Sequence, residues 1–525
     1  MNLTGNLLIG AQEVGAMAGT MQALNPATNL KFAPDFAFGG IDEVDRAAQL
    51  ADEAFDSYNS TSLEVRATFL ERIAEGIGAN APALAQRAAL ETGLPAAQLE
   101  AEATKAATQF RQFATVVRQG RFRQATIDSA QPERQPRPRM DHRMQKIGLG
   151  PIAIFGASNF PISYSVAGGD TASALAAGCP VILKAHNAHP GASEIMGRII
   201  QQAVKDAGLH EGVFSMLRGD GNAIGEALVD HPLIKGVTFT GSEAGGMALY
   251  RRAQQRPDPI PVFTEMTSVN PTFVLPIALF SRGGEIGDGF AERMLVNVGQ
   301  ACLKPAILLA IDGLGYSELK QAMIARVNAM QARTMLTPGI NLAYRKNVDR
   351  QLAAGAEKIA TGANPEGEWD GQSYLFEVDG ARLLEEPALL EEVFGPAALL
   401  VRVKDDEQLV AIARRFRGQL SATMHIERAD HALAARLLPV LERRTGRIVV
   451  NAFAHPQEVS YASIHGGPFP ATSDSRFTSV GMSAIERFLR PVCYQGFPDE
   501  LLPQALKQDN PSGFWRLTDG ELSKA

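Results

Sequence analysis

The sequence predicts an α/β protein organised around a doubly wound parallel sheet, and three observations carry that expectation. Between residues 147 and 250, short β-branched runs alternate with helical patterns. A second α/β unit follows from Pro261 to about Val450. Ahead of both, residues 41–118 carry Ala-rich apolar residues at helical spacing. Strand–helix–strand alternation of this length places strands parallel and helices on both faces. Ligands then lie beyond the carboxyl ends of the strands.

In order, residues 6–38 read as short strands and turns, with Asn25-Pro26-Ala27-Thr28-Asn29 as a turn signal. From Ile41 to Tyr58 the spacing of Val44, Ala47, Ala48, Ala51, Ala54 and Phe55 is helical. Further helices are expected at Ser62–Ala79, Ala81–Glu91 and Pro95–Arg118. Residues 118–146 then gather Arg118, Arg121, Arg123, Arg134, Arg137, Arg139, Arg143 and Lys146 among three prolines. No aromatic ladder accompanies these charges, so a solvated hairpin or subunit-contact arm is preferred over a nucleic-acid surface.

The sheet strands are expected at Ile152–Phe155, Val181–Leu183, Val213–Leu217 and Val237–Phe239. Helices are expected at Gly168–Ala177, Ala192–Ala207, Asn222–Val229 and Ala244–Gln254. No G-x-G-x-x-G follows the first strand, so any nucleotide binds without that fingerprint. The second unit offers strands at Val262–Thr264, Thr272–Leu275 and Ala306–Ile311, with helices at Gly287–Leu295 and Ser317–Gln331. The tail from Asn451 is rich in Gly, Pro, Ser and aromatics, as site-lining loops are.

Composition excludes several classes. With 525 residues, more than one domain is expected; 45% hydrophobic and 20% charged residues are ordinary for a soluble protein. A net charge of −7 argues against nucleic acid. Three scattered cysteines, Cys179, Cys302 and Cys493, form no disulfide framework and fit a reducing compartment. No basic-then-apolar leader and no run near the about 20 residues of a membrane span is visible. A cytoplasmic protein is expected.

Six stations can carry chemistry. Asn159, in Phe155-Gly156-Ala157-Ser158-Asn159-Phe160-Pro161, can donate to an oxyanion, although a turn cap is the plainer local reading. Lys184 at a strand end can hold nucleotide oxygens. The nearby His186 and His189 lack a third ligand, so a metal reading is disfavoured. Thr240-Gly241-Ser242-Glu243-Ala244-Gly245-Gly246 is a strand–turn–helix suited to a pyrophosphate, yet glycine is common at tight turns. Glu265 ends an apolar strand and is a candidate base or a structural ion-pair partner. Glu392 and Phe394 stand beside Gly395-Pro396, where an ordinary helix end with a buried Phe is the preferred local reading. Cys302, in Gly299-Gln300-Ala301-Cys302-Leu303-Lys304-Pro305, would by itself be read as a core thiol.

Taken together, Asn, Lys, Gly-Ser, Glu, Cys and Glu-x-Phe-Gly-Pro occur in an order and spacing that resembles the aldehyde dehydrogenase superfamily over nearly the whole chain. The resemblance implies the aldehyde dehydrogenase fold: a Rossmann-like cofactor domain, an α/β catalytic domain and a small oligomerisation arm. The implied limits are 1–125 and 147–260 for the cofactor domain and 261–450 for the catalytic domain. Residues 126–146 and 476–525 would form the arm and tail, and 451–475 the site-lining loops. It also implies Cys302 as nucleophile, Glu265 as general base, and Asn159 with the Cys302 amide as oxyanion hole. Lys184 and Glu392 would hold the riboses, Gly241, Ser242 and Gly246 the pyrophosphate region, and Phe394 the nicotinamide side.

Stretches such as Gly466-Gly467-Pro468-Phe469-Pro470-Ala471-Thr472-Ser473-Asp474 and Ile485-Glu486-Arg487-Phe488-Leu489-Arg490-Pro491-Val492 are similar to the α-ketoglutaric semialdehyde (2,5-dioxopentanoate) dehydrogenases. The implied product is 2-oxoglutarate. Other fatty or semialdehyde substrates and a catalytically silent scaffold of the same fold are the competing readings. NADP is expected, with NAD also accepted. Asn187 replaces a carboxylate that would repel a 2′-phosphate, and Lys184, Arg218 and the histidines would favour that phosphate. A homodimer or dimer of dimers, with no membrane partner, is implied. Ala301, Leu303 and Lys304 depart from the branch; Lys304 could tune the thiol or bind the substrate carboxylate, but a solvated lysine is the preferred reading.

Overall fold

The computed structural model describes residues 2–454 and 459–524. Five short apolar strands form the parallel core of the first sheet. They lie in the spatial order Val262–Glu265, Gly236–Thr240, Ile152–Phe155, Val181–Lys184, Phe214–Leu217. Ile152–Phe155 is buried at all four positions, as a strand covered by helices on both faces must be. Leu7–Ile9 extends the sheet antiparallel beside Phe214–Leu217, with Gln12–Val14 at the edge. The chain order reverses between Ile152–Phe155 and Gly236–Thr240, so a crevice opens where the Gly156–Asn159 and Gly241–Ser242 segments leave their strands.

Val262–Glu265 corrects the boundary expected at 261. It pairs parallel with Gly236–Thr240 in a four-residue register, from Val237 opposite Val262 to Thr240 opposite Glu265. The first sheet therefore runs through Glu265. A four-residue apolar strand carries no mark in the sequence of which sheet it joins.

The second sheet runs Glu357–Thr361, Tyr374–Asp379, Ala397–Val403, Ile307–Ile311, Thr272–Val274, Gln419–His425, Thr445–Val450. All pairs are parallel except the outermost Glu357–Thr361 pair. Three neighbouring strands are entered from their amino ends by Val269–Asn270, Cys302–Pro305 and Glu392–Pro396. The candidate residues thus collect between the carboxyl ends of one sheet and the amino ends of the other.

Two helices differ from the expected bounds. Leu63–Thr92 is one helix, not two, and contains Pro82. An interior proline costs about 3 kcal/mol, but the apolar face continues through it. Leu70, Ile73 and Ile77 before it, and Leu84, Ala85 and Ala88 after it, are all buried in one cluster with helices Ala96–Gln119 and Pro190–Asp206. The helix expected at Gly287–Leu295 spans Pro276–Met294, with a break at Arg282 (φ −139°). Its proline sits in the first turn, where no amide is lost, and its glycines had blurred the helical pattern.

A five-stranded sheet joins Leu489–Gln495, His142–Gly148, Thr126–Asp128, Arg516–Thr518 and Glu521–Ser523. Part of the basic stretch is neutralised locally. Arg139 meets Asp519, Arg143 meets Asp141 and Asp499, Lys146 meets Glu486, and Arg118 meets Glu64 and Glu71. Among the described residues no helix is long and apolar enough to cross a membrane. Of the expected loops at 451–475, residues 455–458 lie outside the described residues.

Candidate active site

The thiol is presented by an unusual turn. After the helix ends at Leu295, Asn297 (φ 53°), Val298 (φ 56°) and Gly299 (φ 68°) are successively left-handed. For a β-branched residue this conformation costs on the order of 1–3 kcal/mol and persists only where the surroundings impose it. Gln300 imposes it: its Nε2 donates to the Asn297 carbonyl at 2.9 Å, and its Oε1 accepts from the Leu336 amide at 3.0 Å. Gly299 admits no side chain, since a Cβ there would stand 2.1 Å from the Gly395 carbonyl oxygen. Asn159 is buried and its Nδ2 donates to the Gln300 carbonyl at 3.1 Å, so it reaches the thiol loop as expected. Asn270, unmarked in the sequence reading, donates to the carbonyls of Cys302 (2.8 Å) and Lys304 (2.9 Å).

Lys304 is not solvated; it is 3% exposed. Its Nζ donates to the carbonyls of Val393 (2.5 Å), Gly395 (2.9 Å) and Ala397 (3.0 Å). Burial pushes the amine down to about 8 against the opposing pull of Glu392. Burial likewise pushes the Glu392 carboxyl up to about 7, with Lys304 and a bond from Thr267 Oγ1 pulling it back. A lysine beside a proline carries no sign of depth in sequence. The three convergent carbonyls that hold it come from a segment about 90 residues away.

Cys302 Sγ lies 3.5 Å from His465 Nε2, which lies 2.8 Å from Glu265 Oε1. Glu265 Oε2 accepts from Ser479 Oγ at 2.9 Å. Burial opposes the charge on Glu265, but the His465 cation and the Ser479 bond outweigh it, and the carboxyl sits below its ordinary value. Burial also opposes a cation at His465, yet Glu265 and Cys302 raise it to about 10. The two form a buried ion pair. Burial raises the Cys302 thiol, the imidazolium pulls it down, and Glu265 adds to the rise. His465 was missed by sequence reasoning. It stands 163 residues from the thiol, and its local signal is a lone His ahead of Gly466-Gly467 in a loop-rich tail.

Asn159, Lys184, Gly241, Ser242, Glu265, Cys302, Glu392 and Phe394 all line one large cleft. Lys184 is held below its ordinary value by burial and by Arg218, and among the described residues no hydrogen bond or ion pair engages its amine. Ser242 Oγ caps helix Glu243–Gln254 by accepting from the Gly245 amide at 3.2 Å. Three expected residues are not on the lining. Gly246 is a packing glycine, whose Cβ would meet Met266 Sδ at 2.7 Å. Asn187 Nδ2 donates to the Gly219 carbonyl at 3.0 Å, just behind the lining residues His186 and Gly221.

Arg218 is a correction. Its side chain is wholly buried with its guanidinium over the Phe36 ring, facing the carbonyls of Gly5, Ala37 and Pro190, so it presents no charge to the cleft. The histidines present none either. Burial pushes His186 to about 3 and His189 to about 4, and His189 is bonded to Ser193 and Ala157.

Cys302 and His465 also line a second, smaller cavity with Phe160, Tyr164, Val296, Ala301, Leu303 and Ala454. The sulfur therefore sits where a large cleft and a small, mostly apolar cavity meet.

Residues 14–467 match the model of the aldehyde dehydrogenase family. The chain belongs to that family. It is an oxidoreductase acting on aldehydes. It is 50% identical to α-ketoglutaric semialdehyde dehydrogenase 2 of Azospirillum brasilense, over 99% of this chain and 100% of the relative. It is 43% identical to α-ketoglutaric semialdehyde dehydrogenase of Acinetobacter baylyi, over 99% of each. Among solved structures, a variant of aldehyde dehydrogenase C from Pseudomonas syringae, complexed with NAD+ and octanal, superimposes with a TM-score of 0.79. That match is at 23% identity over 94% of this chain and 97% of the other. The aldehyde dehydrogenase fold expected from the sequence is the fold observed.

Two outcomes follow for this aldehyde dehydrogenase. Because the imidazolium lowers the thiol, His465→Gln shifts thiolate formation to higher pH. Iodoacetamide alkylation of Cys302 near neutrality then slows about tenfold; an unchanged alkylation profile would refute the pairing. Lys304→Met strands buried carbonyls and lowers unfolding stability by about 2–4 kcal/mol in denaturant titrations. It also raises KM for the dinucleotide more than for the aldehyde.

Proposed function

We propose that this enzyme oxidises 2,5-dioxopentanoate to 2-oxoglutarate, with NADP as preferred acceptor and NAD also used, through a thioester on Cys302. The observation that carries the substrate is full-length 50% identity to a dehydrogenase named for that aldehyde, with 43% to a second. The relative solved with NAD+ supports a dinucleotide in the large cleft. The residues fit one: Lys184 offers an unengaged cation, Ser242 opens a helix amino end, and Glu392 and Phe394 face the same space.

The chain's own groups act as follows. Glu265 accepts the thiol proton, and the thiolate forms beside the His465 imidazolium 3.5 Å away. The sulfur then adds to the aldehyde carbon, and the developing oxyanion is stabilised by Asn159 Nδ2 and the Cys302 amide. The bound nicotinamide supplies the hydride acceptor that turns the adduct into a thioester. Glu265, freed of its proton to solvent, takes one from the attacking water. The carbon–sulfur bond breaks, and the thiolate is again balanced by His465.

For the cofactor's 2′-phosphate, support is narrower than the sequence suggested. Lys184 remains as a charged contact, and Asn187 leaves out a repelling carboxylate, while Arg218 and both histidines drop out. A two- or four-subunit assembly remains part of the proposal, built through the five-stranded sheet of residues 126–146 and the tail.

Assayed with a panel of aldehydes and both dinucleotides, the enzyme turns over 2,5-dioxopentanoate with the highest kcat/KM. A clear preference for long-chain aldehydes would overturn the substrate. Cys302→Ala abolishes dinucleotide reduction; retained activity would remove the nucleophile. Asn187→Glu lowers the ratio of NADP to NAD kcat/KM by about tenfold or more, through like-charge repulsion.

A further inference from the structure

The proposed substrate carries a carboxylate four bonds from its aldehyde carbon, and an ionised carboxylate in a largely apolar cavity needs a cation. The small cavity beside Cys302 has three basic residues in its wall, Arg293, Lys304 and His465, and His465 is already paired with Glu265. Lys304 cannot serve, because its amine is buried and spent on three backbone carbonyls. Arg293 is different. It lies in the last turn of helix Pro276–Met294 and is half-buried. Among the described residues no hydrogen bond or ion pair engages its guanidinium. Its acidic neighbour Glu292 is exposed and acts on Arg326 instead.

A second polar group faces the same cavity. Tyr164 lines it, and Lys105 Nζ donates to the Tyr164 hydroxyl at 3.2 Å while lying over its ring, 4.9 Å from the centroid. With its oxygen receiving that bond, the phenol keeps its own proton for another acceptor. Apart from Cys302 and His465, which belong to the thiol site, the remaining wall is apolar: Phe160, Val296, Ala301, Leu303 and Ala454.

We propose that Arg293, assisted by the Tyr164 hydroxyl, binds the carboxylate of the substrate and so sets the preference for an anionic aldehyde. The planar guanidinium fork matches the carboxylate, and the apolar wall strengthens the pairing by excluding water. This proposal rests on the substrate reading above. It adds which residue selects that substrate from neutral aldehydes of equal length.

The test compares kcat/KM for 2,5-dioxopentanoate and for pentanal in wild type, Arg293→Gln and Arg293→Lys, with unfolding midpoints as a check on folding. Arg293→Gln lowers the acid-to-pentanal ratio by about 30- to 100-fold, and Arg293→Lys retains part of it. Competitive inhibition by glutarate weakens in parallel. If wild type shows no preference for the acid, the substrate reading falls and this proposal with it. If wild type prefers the acid and Arg293→Gln keeps that preference, only the assignment to Arg293 is overturned.

Discussion

Two loops that enter adjacent strands of the second sheet touch backbone to backbone, and the chemistry of the molecule depends on that touch. Gly299 abuts the Gly395 carbonyl with no room for a side chain, and Lys304 ties the same segment by three carbonyls on the far side of the thiol. The left-handed Asn297–Val298 turn is tolerable because these contacts and Gln300 over-determine it. The segment that carries Glu392 and Phe394 and the one that carries Cys302 are thus tied into a single piece. Their relative position is set by a buried amine rather than by the ligands.

Charge inside the site is arranged in two buried sets with different duties. Glu265 and His465 stabilise each other as ions, so the sulfur faces a cation while a carboxylate stays close enough to receive a proton. Burial pushes both Lys304 and the half-buried Glu392 toward neutrality. The first set lies against the sulfur, and in the second Lys304 holds three backbone carbonyls together.

What was legible in the sequence follows the same division. The alternation of apolar runs exposed the parallel sheet, since strands buried on both faces must be apolar throughout. Cys302, Glu265, Asn159, Lys184 and Glu392 were legible through their order along the chain. Position at strand ends or in the loops that enter strands brings them to one cleft. Depth was not legible. Arg218 reads as an available cation and is packed on Phe36; Lys304 reads as a surface lysine and is a buried tie. His465 and Asn270 act across long sequence separations, where no local pattern records the partner. The unity of Leu63–Thr92 was hidden for a related reason, since Pro82 speaks for the local backbone and not for the helices packed along it.

The sulfur stands at a junction, with the large cleft on one side and the small cavity on the other. Such a layout is a corridor with a door at each end. On the proposed function, an oxidised acid would leave through its own door while the reduced dinucleotide was still seated, and the dinucleotide could leave independently. Neither blocks the other's exit, so the sequence of departures is a matter of relative escape rates. Turnover can then be adjusted by substitutions at one mouth that leave traffic through the other untouched.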